Sequence, residues 1–455
     1  MTLNAMSRPQ PSSRHTQARA AEGAILTPPC RAGVPTRAAE DLVLVLVLVL
    51  GLGLGAVRSA SAADCTTARN PVYVAGSTAA KPILAQVAKF LAAQNPPVTI
   101  VYSGQGSCAG VDAILNGTPL RGAVATATAL STWDATGAEL KCDLAAAPAP
   151  ATTSGATPGT TSALPTRTVV ADIGLSDVFA STCFSLPGGL PSNVQDFLGP
   201  VQTMTFVVPK SSPERSISAE AAYYVFGFGA TSGASPWTDE AWLLHRDAQS
   251  GTERMIATAI GVPPGRWKGT GTTSSTDLLG RLTAPGTGAQ TLGILATDVA
   301  QSNLGMLNIL AYQHFGQTCG YYPDRDATTN EKINVRDGHY AIWGPVHLFT
   351  RLGGAGYPAN AYAGDVIGYV TGTKVAPAGL DLVALEAQSH VVPPCAMRVR
   401  RTEELGPLAS FAPPGACGCY YDKVANGSTS CQVCASAHDC PAASPACSYG
   451  YCETQ

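Results

Sequence analysis

The stretch His245-Arg246-Asp247-Ala248-Gln249-Ser250-Gly251-Thr252 decides how the rest of the chain is read, and Glu253-Arg254-Met255-Ile256 continues it with the look of a helix. Arg246 stands four residues before a Ser-Gly-Thr turn at that helix's start. First-turn amides of a helix have no partner inside it, and the aligned peptide dipoles add positive potential at the same end. One guanidinium, two hydroxyls and those amides then surround a single point, an arrangement that suits a small anion. Alone the motif is weak, because Ser-Gly-Thr is common in turns and a lone arginine is mostly a solvated surface group. Its weight depends on whether other stretches of the same kind recur.

The chain has 455 residues, long enough for two or three domains. A hydrophobic content of 45% against 13% charged residues describes a globular protein with large cores, and 47 glycines and 34 prolines imply many tight turns. The net charge of −3 leaves no basic footprint, so no nucleic-acid partner is expected. The seven histidines are scattered, and nothing in the main body has zinc-ligand spacing, a P-loop or a dinucleotide fingerprint. Ser107 in Gly104-Gln105-Gly106-Ser107-Cys108-Ala109-Gly110 has Gln105 two residues before it, so it is no nucleophile elbow. The sequence therefore points to a non-enzyme, with no catalytic residue, metal or cofactor.

Residues 1–41 are rich in Arg, Ala and Pro and lack periodicity. The apolar run from Leu42 to Val57 is too short and too glycine-rich for a comfortable transmembrane helix, and Ala60-Ser61-Ala62 follows it. This reads as a leader and signal peptide over 1–63, cleaved near Ala62 or Ala63, with an uncleaved anchor as the alternative. Asp64 before Cys65 removes a lipobox. A periplasmic or secreted protein is expected, which makes its cysteines disulfide candidates.

Three apolar runs then end in small hydroxyl-bearing turns. Pro71–Ala75 reads as a strand running into Gly76-Ser77-Thr78, with helical spacing from Lys81 to Ala93. Val98–Tyr102 is a second strand, followed by Ser103–Gly110 and a helix from Val111. Val169–Gly174 is a third, closing on Leu175-Ser176-Asp177. In an α/β sheet such carboxyl ends face one crevice. Any one turn is explained by Gly and Ser making good connections; hydroxyls at all of them, and beside Arg246, are less easily dismissed.

The four turns, in this order and wording, resemble the exported phosphate receptors of bacterial phosphate ABC transporters, the PstS-type proteins. The likeness is concentrated in Ala75–Pro82, Tyr102–Val111, Asp172–Asp177 and Arg246–Thr252 and extends loosely over 70–390. It implies an α/β, two-lobed type II periplasmic-binding-protein fold with a hinge, to which this chain adds a small C-terminal disulfide-rich module. It also implies Thr78, Ser107, Asp177, Arg246, Ser250 and Thr252 as phosphate ligands, with Gly251 offering a backbone N–H. The partners it implies are inorganic phosphate and an ABC transporter permease, with a monomer reaching the membrane only through that transporter. Two departures stand out. Ala79 replaces the aromatic that usually follows the first threonine, and Asp247 comes one residue too early to brace the arginine.

Charge chemistry separates phosphate from sulfate. At neutral pH phosphate is partly HPO₄²⁻, which keeps an O–H donor; sulfate has none. A buried Asp177 carboxylate accepts that hydrogen bond but faces sulfate as an unpaired like charge, a mismatch of about 3 kcal/mol or roughly a hundredfold. The bland role for Asp177 is a helix cap or turn aspartate.

The remaining segments complete the expected organisation: binding lobe 1 over 64–200 and 296–394, lobe 2 over 201–295 and a cysteine-rich tail over 395–455. A Pro/Ala/Thr-rich stretch, 146–168, has little to bury and reads as a mobile insertion, with a Cys142–Cys183 bridge at its base. Thr203–Pro209 reads as the strand crossing into lobe 2. Ser218–Phe226 is helical, and Trp237, Trp242 and Leu243 supply core. Gly269–Ser275 is a further candidate ligand-facing loop, Gly293-Ile294-Leu295 starts the return, and Tyr340–Phe349 completes it. Two crossings make a hinge, and a ligand touching both lobes favours closure by its differential affinity for the closed state. In the tail, Cys434–Pro441 and Cys447–Cys452 resemble small disulfide modules on exported proteins of myxobacteria and relatives; a zinc knuckle through Cys431 and Cys434 is the competing reading. With cleavage near Ala62, thirteen cysteines remain and at least one lacks an internal mate. Two other functions stay open: an exported adhesion or envelope protein reusing the binding fold, favoured by tail and insertion, and a secreted phosphatase, for which no metal set or nucleophile–base pair is visible.

Overall fold

The structure is a computed structural model, and it describes residues 63–120, 130–144, 169–354 and 356–454. The leader, the signal-peptide reading and the insertion at 146–168 lie outside the described residues. No helix among those described is long and apolar enough to cross a membrane.

The expected strands form, with shifted ends. β1 (Pro71–Gly76) leads to α1 (Lys81–Ala92), and β2 (Thr99–Gly104) leads to α2 (Ser107–Leu115). β3 (Leu130–Trp133) and β4 (Glu139–Asp143) precede β5 (Ile173–Ser176). Val169, expected to open β5, makes only an isolated bridge to Leu120. Asp172 sets the start instead: its backbone N–H donates to the Tyr73 carbonyl at 2.8 Å, and its carboxylate accepts from the Tyr73 N–H at 2.8 Å. α2 likewise starts at Ser107 rather than Val111, because Gly106 takes φ +97° and turns the chain into the helix early.

β6 (Val194–Pro209) is longer than the expected Thr203–Pro209 crossing. Its first half pairs antiparallel with the second crossing strand, β10 (Trp343–Arg351), and its second half with β9 (Leu292–Ala296). Between them run α3 (Ala219–Phe228), β7 (Leu243–Arg246), α4 (Gly251–Ile260), β8 (Thr270–Thr272) and α5 (Ser275–Leu282). The strands join in one twelve-stranded mixed sheet, ordered Ala63–Asp64, β4, β3, β2, β1, β5, β10, β6, β9, β7, β8, with Leu307–Ile309 also on β6. β1, β2 and β5 are mutually parallel, so their carboxyl ends share one edge of the first half. The fold is thus a mixed α/β, two-lobed architecture, the halves joined by β6 and β10.

Gly293-Ile294-Leu295 does not carry the chain back. It lies inside the second half's sheet, between β6 and β7, where its fully buried apolar side chains are sealed on both faces. Ala300, Leu310, Tyr312, Val335 and Tyr340 pack into the same core as Phe226, Trp237 and Leu243, so the chain leaves this half only on β10. Two further cores lie in the first half. One is on the side of α1, α6 (Ala361–Val370) and Leu380; the other is around α2 and Phe349.

The cysteines pair differently from the expected Cys142–Cys183 bridge. Cys142 bonds Cys65, whose neighbouring strand lies beside β4, and Cys183 bonds Cys108 on α2, with Cα separations of 5.1 and 5.2 Å. The tail pairs Cys395–Cys417, Cys419–Cys431, Cys434–Cys447 and Cys440–Cys452, and this removes the zinc reading for Cys431 and Cys434. Cys319 is also disulfide-bonded. Behind α7 (Leu382–Gln388), the tail helix α8 (Gly418–Asn426) docks firmly: Cys417 and Tyr421 belong to the second half's core, and buried Arg336 bonds Asp422 at 2.5 Å.

Candidate anion site

Four turns meet at the seam between the halves. Ser77 and Thr78 follow β1, Ser107 opens α2, Asp177 follows β5, and Arg246 ends β7 just before α4. The approach is close. A Cβ placed on Gly251 would stand 2.3 Å from Ser107 Oγ and 2.8 Å from Asp177 Oδ2, and one on Gly106 would stand 2.6 Å from the Gln249 carbonyl oxygen. Glycine at 251 leaves room for the Ser107 and Asp177 side chains, and glycine at 106 for the Gln249 backbone. The Cys108 N–H, in the first turn of α2, donates to that Gln249 carbonyl at 3.1 Å.

Asp177 is 2% exposed and ties the first half's turns together. Ser77 Oγ lies 2.6 Å from both its carboxylate oxygens, and Ser107 Oγ donates to Oδ2 at 2.9 Å while accepting from the Asp177 N–H at 3.1 Å. Burial pushes the Asp177 carboxyl up, while the two serines and then the Arg246 and His347 charges hold it down. The Tyr102 hydroxyl donates to the Ser77 carbonyl at 2.5 Å, and burial raises that phenol, with the Asp177 charge adding to it.

Arg246, also 2% exposed, is braced without a carboxylate. Nε donates to the Thr272 carbonyl at 3.3 Å, Nη2 to the Thr273 carbonyl at 3.0 Å and Nη1 to Ser275 Oγ at 2.9 Å. Across the seam, Nη1 reaches Thr78 Oγ1 at 3.5 Å. Asp247, early in sequence for a brace, instead accepts the Gln249 N–H at 2.8 Å and shapes the turn. Burial lowers the guanidinium's pKa, opposed by the charges of Asp247, Asp177 and Glu253. No ion pair to Arg246 occurs among the described residues.

Of the expected residues, Ser107, Asp177 and Gly251 are in direct contact, and Thr78 and Arg246 meet across the seam. Ser250 caps α4, its Oγ accepting the Glu253 N–H at 3.5 Å. Thr252 is buried in the first turn, its hydroxyl making no side-chain hydrogen bond among the described residues. Sequence reasoning missed Ser77 and Ser275. The Gly76-Ser77-Thr78 turn offers two adjacent hydroxyls, and only packing shows which one turns to Asp177. Ser275 lay in the Gly269–Ser275 loop, already marked as ligand-facing, but its bond to Arg246 depends on β8 pairing with β7. The sulfurs of Cys434, Cys440 and Cys447 lie close together but are all held in disulfides.

The fold and this seam define a two-lobed mixed α/β architecture with a polar cluster between its halves. Among solved structures it is similar to a Clostridium perfringens protein with bound phosphate, at 11% identity and a TM-score of 0.44 over 71% of this chain and 99% of that one. It is also similar to an ABC-type phosphate transport receptor from Vibrio cholerae, at 12% identity and a TM-score of 0.43 over 71% and 100%. The regulatory domain of OxyR from Pseudomonas aeruginosa follows at 11% identity and a TM-score of 0.33, over 65% and 96%. No protein-family model and no curated protein matches the chain.

Proposed function

We propose that the seam binds inorganic phosphate and that the protein is an exported, non-enzymatic phosphate receptor working with an ABC importer. One observation carries this reading: a buried guanidinium, held by neutral oxygens of Thr272, Thr273 and Ser275 at the N-terminal end of α5, reaches Thr78 across the seam. Arginine stays charged when buried, and a desolvated charge without a counter-ion is costly unless an anion supplies one. The ligand set is Thr78, Ser107, Asp177, Arg246, Ser250, Gly251 and Thr252, extended by Ser77 and Ser275. In this reading lobe 2 runs over 201–342, which the shared core of Ala300, Tyr312, Val335 and Tyr340 with Phe226 and Trp237 supports.

Asp177 supplies selectivity in this proposal, accepting the O–H of HPO₄²⁻ where sulfate offers none. Phosphate-free purification followed by calorimetric titration with phosphate and with sulfate tests it. Tight phosphate binding, lost in Arg246→Ala, is expected; absence of binding to either anion would leave the alternative, an exported envelope-interaction protein reusing the fold. The tail favours that alternative, because its four bridges add surface that a simple receptor does not need.

A further inference from the structure

The C-terminal segment reaches back into the seam. Val399–Arg400 and Ala409–Ser410 pair as a two-stranded ribbon, and the loop between them crosses the junction of the halves. Arg401 lies flat on the Trp343 ring of β10, 3.9 Å from its centroid, and donates to the Ala341 carbonyl at 3.2 Å. Glu404 points the other way: Oε2 accepts from the Phe179 N–H at 3.3 Å and the Thr182 hydroxyl at 3.5 Å, both in the turn that begins with Asp177. Its Oε1 is shut off from solvent and has no hydrogen-bond partner among the described residues. A Cβ on Gly344 of β10 would lie 3.6 Å from that oxygen, 3.3 Å from the Asp177 carbonyl and 3.0 Å from Met255 Cε of α4. One carboxyl thus sits where both halves, a crossing strand and the tail converge.

We propose that the Arg401–Leu405 loop latches the seam, and that Glu404, as a positioning residue for the Asp177 turn, couples anion binding to uptake of a proton. The second half of the proposal rests on the phosphate reading above; the latch itself does not. Two negative charges close together in a dry site disfavour each other, so an anion beside Asp177 favours the neutral form of Glu404. The groups facing Glu404 are Asp177 on its turn, Arg401 on its own loop, Arg254 of α4 through its 3.2 Å bond to the Thr182 carbonyl, and the His347–Asp196 pair behind Phe179. Burial raises the Glu404 carboxyl to about 7 and the Asp177 charge adds to this, while the Phe179 N–H, Arg401 and Thr182 hold it down. The group therefore titrates where a proton can be exchanged on binding.

The test uses the full chain and Glu404→Gln. Phosphate titrations at pH 7 in two buffers of different ionisation enthalpy measure protons taken up, and subtracting the variant removes phosphate's own protonation. Wild type is expected to take up a fraction of a proton more than Glu404→Gln and to lose affinity up to about tenfold more between pH 6 and 8. Equal uptake in the two proteins would overturn the coupling. Ligand-free thermal melts from pH 5.5 to 8.5 keep the latch testable if no anion binds: the wild-type midpoint should fall with pH more steeply than the variant's, and identical profiles would overturn the latch. Should Glu404→Gln fail to fold, Thr182→Val serves. Losing a donor to the carboxylate, it should move the same titration to higher pH, and an unmoved titration counts against the proposal.

Discussion

Asp177 and Arg246 stand on opposite halves of the seam, and each is held by neutral groups rather than by an opposite charge. Ser77 and Ser107 already satisfy the Asp177 carboxylate inside the first half, so this residue stitches turns as well as facing the seam. That double role predicts a split phenotype. Asp177→Asn keeps its size but loses the acceptor charge; discrimination of phosphate over sulfate should collapse from roughly a hundredfold towards none, measured by calorimetry. The midpoint of thermal unfolding should move as well, because Ser77 and Ser107 lose a charged partner. Arg246→Lys is not a mild change here. An ammonium cannot reproduce the three braces to Thr272, Thr273 and Ser275, so anion affinity should fall at least tenfold while the fold persists.

At the scale of elements, α4 and α2 meet through glycine. Gly251→Ala puts a methyl 2.3 Å from Ser107 Oγ, and a packed junction relieves such an overlap by moving backbone, at about 1–3 kcal/mol. The seam should then fail to close and anion binding should be lost. Ser250→Ala is the comparison: losing the α4 cap costs about 1 kcal/mol and leaves the backbone approach intact, so binding should weaken without disappearing. Urea unfolding beside phosphate titration separates the two outcomes. The long crossing β6 also belongs to this scale. Its first half was obscured in sequence by Gly199-Pro200, a pair that reads as a break, yet β10 pairs across it with a register shift between Pro345 and His347.

For the whole molecule, burial pushes several carboxyls above the ordinary carboxylate range. Burial raises Asp298 to about 7, opposed by N–H donors including Gln202, and raises Asp324 to about 6 despite the Lys332 charge. With Glu404 near the same value, each is protonated in the folded chain over a range where the unfolded chain has lost that proton. Their contribution to stability is complete below the ordinary carboxyl pKa and is lost as pH rises through about 6 to 7. Glu139, drawn down to about 2 by Lys141 and Lys81 against its burial, is ionised in both states across that range and adds no slope. The thermal midpoint should therefore fall between pH 5 and 8, and Asp298→Asn should flatten part of the fall. The tail is bound into this same body. Ending the chain before Cys395 would uncover the face packed by Tyr421 and leave buried Arg336 without Asp422 and the Ala396 carbonyl, so such a truncation should lower the midpoint by several degrees or prevent soluble expression.

Local pattern was enough for β1, β2, the helices after them, the crossings near Thr203–Pro209 and Tyr340–Phe349, and the hydroxyl-bearing turns, because apolar periodicity and Gly/Ser punctuation act over a few neighbouring residues. Which groups face each other across the chain was decided only by tertiary packing. Ser77 rather than Thr78 reaches Asp177, backbone carbonyls rather than Asp247 hold Arg246, Cys142 takes Cys65, and Glu404 lands 227 positions beyond the Asp177 whose turn it grips. Each of these contacts joins segments whose separation along the chain carries no periodic signal, and each is set by how two halves sharing one sheet come to rest.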